Sequence, residues 1–209
     1  MSVPTTMFRL TGRDYPPAKL GQASLIVIDA QKEYLSGPLA LSGMDEAVAN
    51  IARLLDAARK AGRPIIHVRH LGTVGGRFDP QGPAGEFIPG LEPRAGEIVI
   101  EKRMPNAFKN TKLHETLQEL GHLDLIVCGF MSHSSVSTTV RRAKDYGYRC
   151  TRVEDASATR DLALGDTVIP AAQIHQCEMA VMADNFACVA PTASLVCTTT
   201  ARRPGGTPR

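Results

Sequence analysis

Leu125-Ile-Val-Cys-Gly129-Phe-Met-Ser-His-Ser-Ser135-Val-Ser-Thr-Thr-Val-Arg141 is the stretch whose reading decides the fold. An apolar run ends at Gly129, a short turn follows, and a Ser/Thr-rich segment opens a helical pattern. A strand, a tight turn and a helix start in that order aim backbone N–H groups, and the positive end of a helix dipole, at whatever lies beyond the strand tip. Ser135 stands where such a junction presents a nucleophile. The blander reading of a serine here is a helix N-cap or first-turn residue.

The same alternation extends in both directions. Ser24-Leu-Ile-Val-Ile-Asp29 is a continuous apolar run ending in a carboxylate, the pattern of a parallel strand buried on both faces. Asp45 to Ala61 carries a helical stripe of Val48, Ile51, Leu54, Leu55 and Ala58, closed by Gly62. Arg63 to Arg69 reads as a second strand and Glu97 to Lys102 as a third, with a long Gly/Pro-rich loop from His70 to Gly96 between them. A loop of that length is usually functional, as a lid or pocket wall. Thr111 caps a helix running to Leu120, and Leu123 to Cys128 is the fourth strand. The pattern continues with a helix from Ser134 to Tyr146, a strand from Tyr148 to Val153, a helix from Asp166 to Met182 and a sixth strand from Asn185 to Val189.

Strands alternating with helices, without repeats or a linker, predict a three-layer α/β/α fold: a six-stranded, mostly parallel sheet with Rossmann-like strand order. The reading is one domain over 1–209, with a core of about 20–191, an N-terminal arm over 1–20 laid on the body or partly mobile, and a mobile tail at about 198–209. In such sheets ligands bind beyond the carboxyl ends of the strands, at the topological switch point. Asp29 ends the first strand, Lys102 the third, and the fourth leads into Gly129–Ser135.

Composition excludes several function classes. The net charge of +3 comes from 24 Lys and Arg against 21 Asp and Glu, scattered along the chain, so no nucleic-acid partner is expected. No apolar run reaches membrane-span length and no secretory signal is visible, which points to a cytoplasmic protein without a membrane partner. The five cysteines, Cys128, Cys150, Cys177, Cys188 and Cys197, are odd in number, show no C-x-x-C spacing and read as reduced thiols.

From Ser24 to Pro191 the chain resembles the isochorismatase-like, or cysteine hydrolase, superfamily, on its amidohydrolase branch. The resemblance rests on Ile26-Val-Ile-Asp29-Ala-Gln31, Pro83-Ala-Gly-Glu-Phe-Ile88, Gly96-Glu-Ile-Val-Ile-Glu-Lys102 with Asn106-Ala-Phe108, Gly129-Phe-Met-Ser-His-Ser-Ser135 and Glu154-Asp155-Ala. It implies a catalytic Asp, Lys and Cys at Asp29, Lys102 and position 135. It also implies a cis peptide between Phe130 and Met131, and an oxyanion hole from the backbone N–H groups of Met131 and Ser135. The implied reaction is hydrolysis of a C–N bond in an amide, imide, lactam or ureide through a covalent thioester.

At the nucleophile the chain departs from that pattern, because position 135 is serine. A thiol with a pKa near 8.5 is within reach of an Asp–Lys pair, whereas an alcohol is a far weaker acid. Three explanations follow: a Cys→Ser change that inactivates the enzyme, favoured by the intact surrounding motif; an isochorismatase-type vinyl-ether hydrolase without a covalent step; or a non-catalytic binding protein of the same fold. Nicotinamidases of this superfamily carry spaced metal-binding histidines after the second strand; here only His70 and the later Asp79 stand in that loop, so neither metal nor other cofactor is expected. Pocket-lining candidates are Gln31, Tyr34, His70, Phe87, Asn106, Phe108 and His133, which suit a small, neutral, partly planar substrate. The resemblance also implies a homodimer or homotetramer.

Overall fold

Six strands line up in the order β3-β2-β1-β4-β5-β8 in a computed structural model of the chain, which describes residues 3–196. They are β1 (Ser24–Ile28), β2 (Ile65–His70), β3 (Ile98–Lys102), β4 (Asp124–Phe130), β5 (Arg149–Ala158) and β8 (Cys188–Ala190). Every pairing among them is parallel. The chain starts in the middle, moves outward on one side, then returns to β4 and moves outward on the other. The order therefore reverses between β1 and β4, which makes their carboxyl ends the switch point.

Helices cover both faces because the central strands are apolar on both. On one face, α2 (Met44–Lys60) lays Ile51, Leu54, Leu55 and Ala58 against Leu25 and Val27 of β1. On the other, α3 (Leu113–Leu120), α4 (Ser137–Asp145) and α5 (Ala171–Asn185) cover Ile26, Ile28, Ile66 and Val68. Each of those leucines and isoleucines is fully or almost fully buried, a contribution of about 1.5–3 kcal/mol apiece.

β1 and β4 approach closely, and Gly129 permits it. Its φ is +110°, and a Cβ there would lie 2.0 Å from the carbonyl oxygen of Ile28. No side chain fits between the two strand tips that carry Asp29 and the 131–135 turn.

Three parts of the structure differ from the sequence reading. Residues 166–169 are not the start of a helix; they belong with 162–165 to a hairpin. The hairpin consists of β6 (Leu162–Leu164) and β7 (Thr167–Ile169), closed by Gly165-Asp166 with Gly165 at φ +59°, and α5 begins only after Pro170. A two-residue Gly-x loop favours a hairpin, and β-branched Thr167-Val168-Ile169 favours a strand. Strand β5 also runs further than Val153. A bulge lets Val127 pair with Arg152 while Gly129 pairs with Ser157, which returns β5 to the site end of β4. Finally, the helix expected from Ser134 begins as a π-helical turn over Ser132–Val136, before α4.

The arm contains one helical turn, α1 (Met7–Leu10), and lies on the body: Met7 N–H donates to Asp184 at 2.8 Å and Ala18 N–H to Thr151 Oγ1 at 2.8 Å. Cys128, Cys150, Cys177 and Cys188 are free thiols. The expected mobile tail, with Cys197, lies outside the described residues. Among the described residues no helix is long and apolar enough to cross a membrane.

Candidate active site

Each member of the Asp29–Lys102–Ser135 set sits where a strand stops. Asp29 follows β1 and takes an unusual φ of +50°; its N–H donates to Val68 O at 2.8 Å. Lys102 ends β3 and reaches past β2. Ser135 lies in the π-helical turn after β4. All three are buried, at 1%, 2% and 6% exposure.

Lys102 Nζ is the hub. It donates to Asp29 Oδ2 at 2.7 Å and to Ser135 Oγ at 3.2 Å, and lies 3.2 Å from His70 Nδ1. Asp29 Oδ1 is buried and has no hydrogen-bond partner among the described residues. Burial raises the Asp29 carboxyl above its usual range, while the nearby Lys102 ammonium and the Ser135 hydroxyl pull it down. The site thus holds a carboxyl oriented through one oxygen and unpartnered at the other, among the described residues.

Phe130 and Met131 are joined by a cis peptide bond. The Ser134 and Val136 N–H groups both donate to Met131 O, at 3.1 and 3.4 Å. The Ser135 N–H between them does not share that acceptor.

The other expected site residues divide. His70 is half-buried beside Lys102; burial first, then Lys102 and Arg103, lower its pKa to about 4. His133 is half-buried, its Nδ1 2.5 Å from Thr159 Oγ1. Asn106 is half-buried, with Oδ1 accepting from Phe108 N–H at 2.9 Å, an Asx-type turn. Tyr34 is almost fully buried, edge-on to Phe78 and Phe130, and burial next to Asp29 and Glu33 raises its phenol. Phe87 is half-buried, and its ring meets His67 edge-on at 5.8 Å.

Two of the expected residues have their side chains engaged elsewhere. Gln31 is fully buried and binds backbone on every side: its Oε1 accepts from His70 N–H at 2.7 Å, and its Nε2 donates to His70 O and Gly85 O at 2.9 Å each. Both amide hydrogens of Gln31 and one lone pair of Oε1 are thus used within the fold, and the side chain is sealed from solvent. Phe108 packs into the opposite layer, among Tyr146, Tyr148 and His114, with ring centroids 5.2, 6.2 and 6.4 Å away. Its chain neighbours reach the site end of the sheet while its own ring turns into the core.

The sequence also concealed two supports. Thr139 Oγ1 accepts from Ala107 N–H at 3.0 Å, tying the 105–108 turn to α4. Thr159, just after β5, meets His133 at the end of the strand that the bulge returns to β4. Neither residue carries a local signal, since each contact depends on tertiary placement. Asp79 closes its own loop by accepting from Gly75 and Gln81 N–H groups, both at 2.9 Å. Among the described residues no three His, Cys, Asp or Glu side chains gather closely enough to hold a metal ion.

A cavity of about 490 Å³ lies beyond β5, lined by residues including Glu46, Asp155, Ser157, Thr159 and His175. It touches none of the three clustered residues. A second of about 300 Å³ does border Lys102, with Arg103, Met104 and Lys109. The convergence of side chains, rather than cavity size, marks the chemistry.

The parallel sheet, its switch point and the cluster there define a three-layer α/β/α scaffold with a candidate site at the carboxyl ends of its strands. Residues 23–194 match the isochorismatase domain model, and the chain belongs to the isochorismatase family. It is similar to an isochorismatase of Pseudomonas putida KT2440 of known crystal structure, with 94% identity and a TM-score of 0.91, covering 92% of this chain and 100% of that one. It is 41% identical over 172 residues to the isochorismatase family protein YddQ of Bacillus subtilis, covering 81% of this chain and 96% of YddQ. It is 36% identical over 174 residues to the secreted isochorismatase effector Isc1 of Verticillium dahliae, covering 82% and 90%. The family also includes amidohydrolases, such as the ureidoacrylate amidohydrolase RutB of Variovorax paradoxus, 27% identical over 193 residues and covering 75% of each chain.

Proposed function

We propose that this chain is a small-molecule hydrolase that works by acid–base catalysis at Asp29, without a covalent intermediate at position 135, on a vinyl ether. The observation that carries this reading is the Asp29 carboxyl itself: Lys102 holds Oδ2, while Oδ1 is buried and unpartnered among the described residues. A vinyl ether needs one well-placed proton donor. The reactive form is the one in which the paired carboxylate has taken up a proton on Oδ1, a form that burial favours; Oδ1–H then gives that proton to the terminal alkene carbon, and the C=C electron pair forms the new C–H bond. Water adds its oxygen to the resulting oxocarbenium carbon and returns a proton to Asp29. The hemiketal then collapses to a carbonyl compound and an alcohol.

Serine at position 135 fits this chemistry better than acyl transfer. To attack a carbonyl, its hydroxyl needs a free histidine or amine as base. The neighbour it has is Lys102, which also pairs with Asp29. In this reading Ser135 and Lys102 orient water and the carboxyl. The name isochorismatase carried by the relatives of Pseudomonas putida and Verticillium dahliae is consistent with this reading but does not distinguish it from the amidohydrolase one.

A second reading keeps the C–N bond. The convergence of Asp29, Lys102 and position 135 is the arrangement the resemblance implies for that reaction, and RutB is an amidohydrolase. Here Met131 and Ser135 N–H groups form the oxyanion hole, and the chain as it stands is the impaired form of an Asp–Lys–Cys enzyme. Its substrate is a small neutral amide, imide or ureide, and the assembly a homodimer or homotetramer. Turnover assays of the chain, Asp29→Asn and Ser135→Cys on vinyl-ether and amide panels separate the readings. Vinyl-ether turnover lost in Asp29→Asn supports the first; amide turnover gained only in Ser135→Cys supports the second.

A further inference from the structure

We propose that His70 is a positioning residue, whose Nδ1 accepts the third N–H of Lys102 and so fixes where that lysine holds Asp29 and Ser135. An ammonium has three N–H bonds, and Lys102 Nζ has three neighbours within hydrogen-bond reach: Asp29 Oδ2, Ser135 Oγ and His70 Nδ1. A Lys102 ammonium with only two acceptors would be freer to rotate about its stem. The third acceptor defines its orientation.

The register of the sheet makes this contact possible. His70 and Lys102 are paired residues at the ends of β2 and β3. The His70 backbone is held by Gln31, which accepts from its N–H and donates to its carbonyl. The imidazole also meets Phe78 edge-on at 4.9 Å. Backbone clamp and ring contact together leave the imidazole little freedom. An Nδ1 that accepts from Lys102 must carry no proton, so the proton sits on Nε2. The low basicity of this ring, caused first by burial and then by Lys102 and Arg103, agrees with a neutral imidazole.

The kinetic part of this inference rests on the proposed reaction, while the tautomer does not. Side-chain ¹⁵N NMR of the intact chain is expected to show His70 with Nδ1 unprotonated and Nε2 protonated near neutral pH; a protonated Nδ1 overturns the proposal whether or not any substrate is turned over. In turnover, His70→Leu is expected to lower kcat about tenfold or more with KM little changed, the effect of losing one hydrogen bond to a charged group. His70→Asn, whose Oδ1 can stand near the place of Nδ1, is expected to recover most of that loss. Equal losses in the two variants, or a loss confined to KM, overturns the positioning role.

Discussion

Lys102 Nζ lies 2.7 Å from Asp29 Oδ2, although 73 positions separate the two residues in sequence and strand β2 lies between their strands. Both side chains are sealed from solvent, at 0% and 1% exposure. Such a pair is expensive to desolvate, and its geometry persists because either charge alone would cost more.

Lys102→Met should therefore destabilise the fold by about 3–5 kcal/mol, the usual cost of leaving one buried charge unpaired. Urea unfolding at constant m-value measures it. Adding Asp29→Asn to that variant should restore part of the loss, because the stranded carboxylate is gone. Two losses that simply add would contradict the pairing.

Glu97 sets a pH dependence away from the site. Burial pushes its carboxyl up, but hydrogen bonds from Arg59, the Arg94 N–H and His67 outweigh that and bring it from 4.5 to about 2. A folded pKa below the unfolded one gives stability that is present above the unfolded value and lost as pH falls through the folded one. The contribution is of order 3 kcal/mol above about pH 4.5. Glu97→Gln should be less stable than the parent at pH 7, and unfolding curves collected from pH 5 down to 2 should converge. A constant gap across that window would contradict the assignment.

Gly129→Ala tests the strand contact beneath the site. A Cβ 2.0 Å from Ile28 O cannot be accommodated by rotating a side chain, and φ of +110° is hostile to any L residue. The variant should lose several kcal/mol, on the order of the largest point-mutant effects, seen as a sharp drop in Tm or in soluble yield. A near-neutral substitution would mean that β1 and β4 are further apart than described.

Phe108→Ala distinguishes core from pocket. A buried ring among Tyr146, Tyr148 and His114 should cost about 3–5 kcal/mol when truncated and leave KM unchanged under conditions where the variant is folded. A raised KM with full stability would return Phe108 to the pocket wall.

Much of the site was legible because its residues fall at element ends. The apolar runs of β1, β3 and β4 each stop at a polar or glycine signal, so Asp29, Lys102 and Gly129 announce themselves by position. Gln31 and Phe108 lie close in sequence to the site, but the direction of each side chain is set by tertiary packing and has no local signal. The hairpin at 162–169 did have a signal in Gly165-Asp166 and the β-branched run after it, but Asp166 also suited a helix start, and the turn geometry prevailed. Position 135 is the reverse case: motif and chemistry pull apart, and only the environment of Asp29 favours one reaction over another.

The most direct test is the steady-state rate of vinyl-ether hydrolysis by the chain, by Asp29→Asn and by Ser135→Ala. General acid–base catalysis typically contributes about 10²–10⁴-fold, so Asp29→Asn should lose at least about a hundredfold in kcat. Ser135→Ala, deprived only of a hydroxyl that orients water and lysine, should lose roughly tenfold. No turnover by the chain itself, or a Ser135→Ala loss as deep as that of Asp29→Asn, would contradict acid–base catalysis at Asp29.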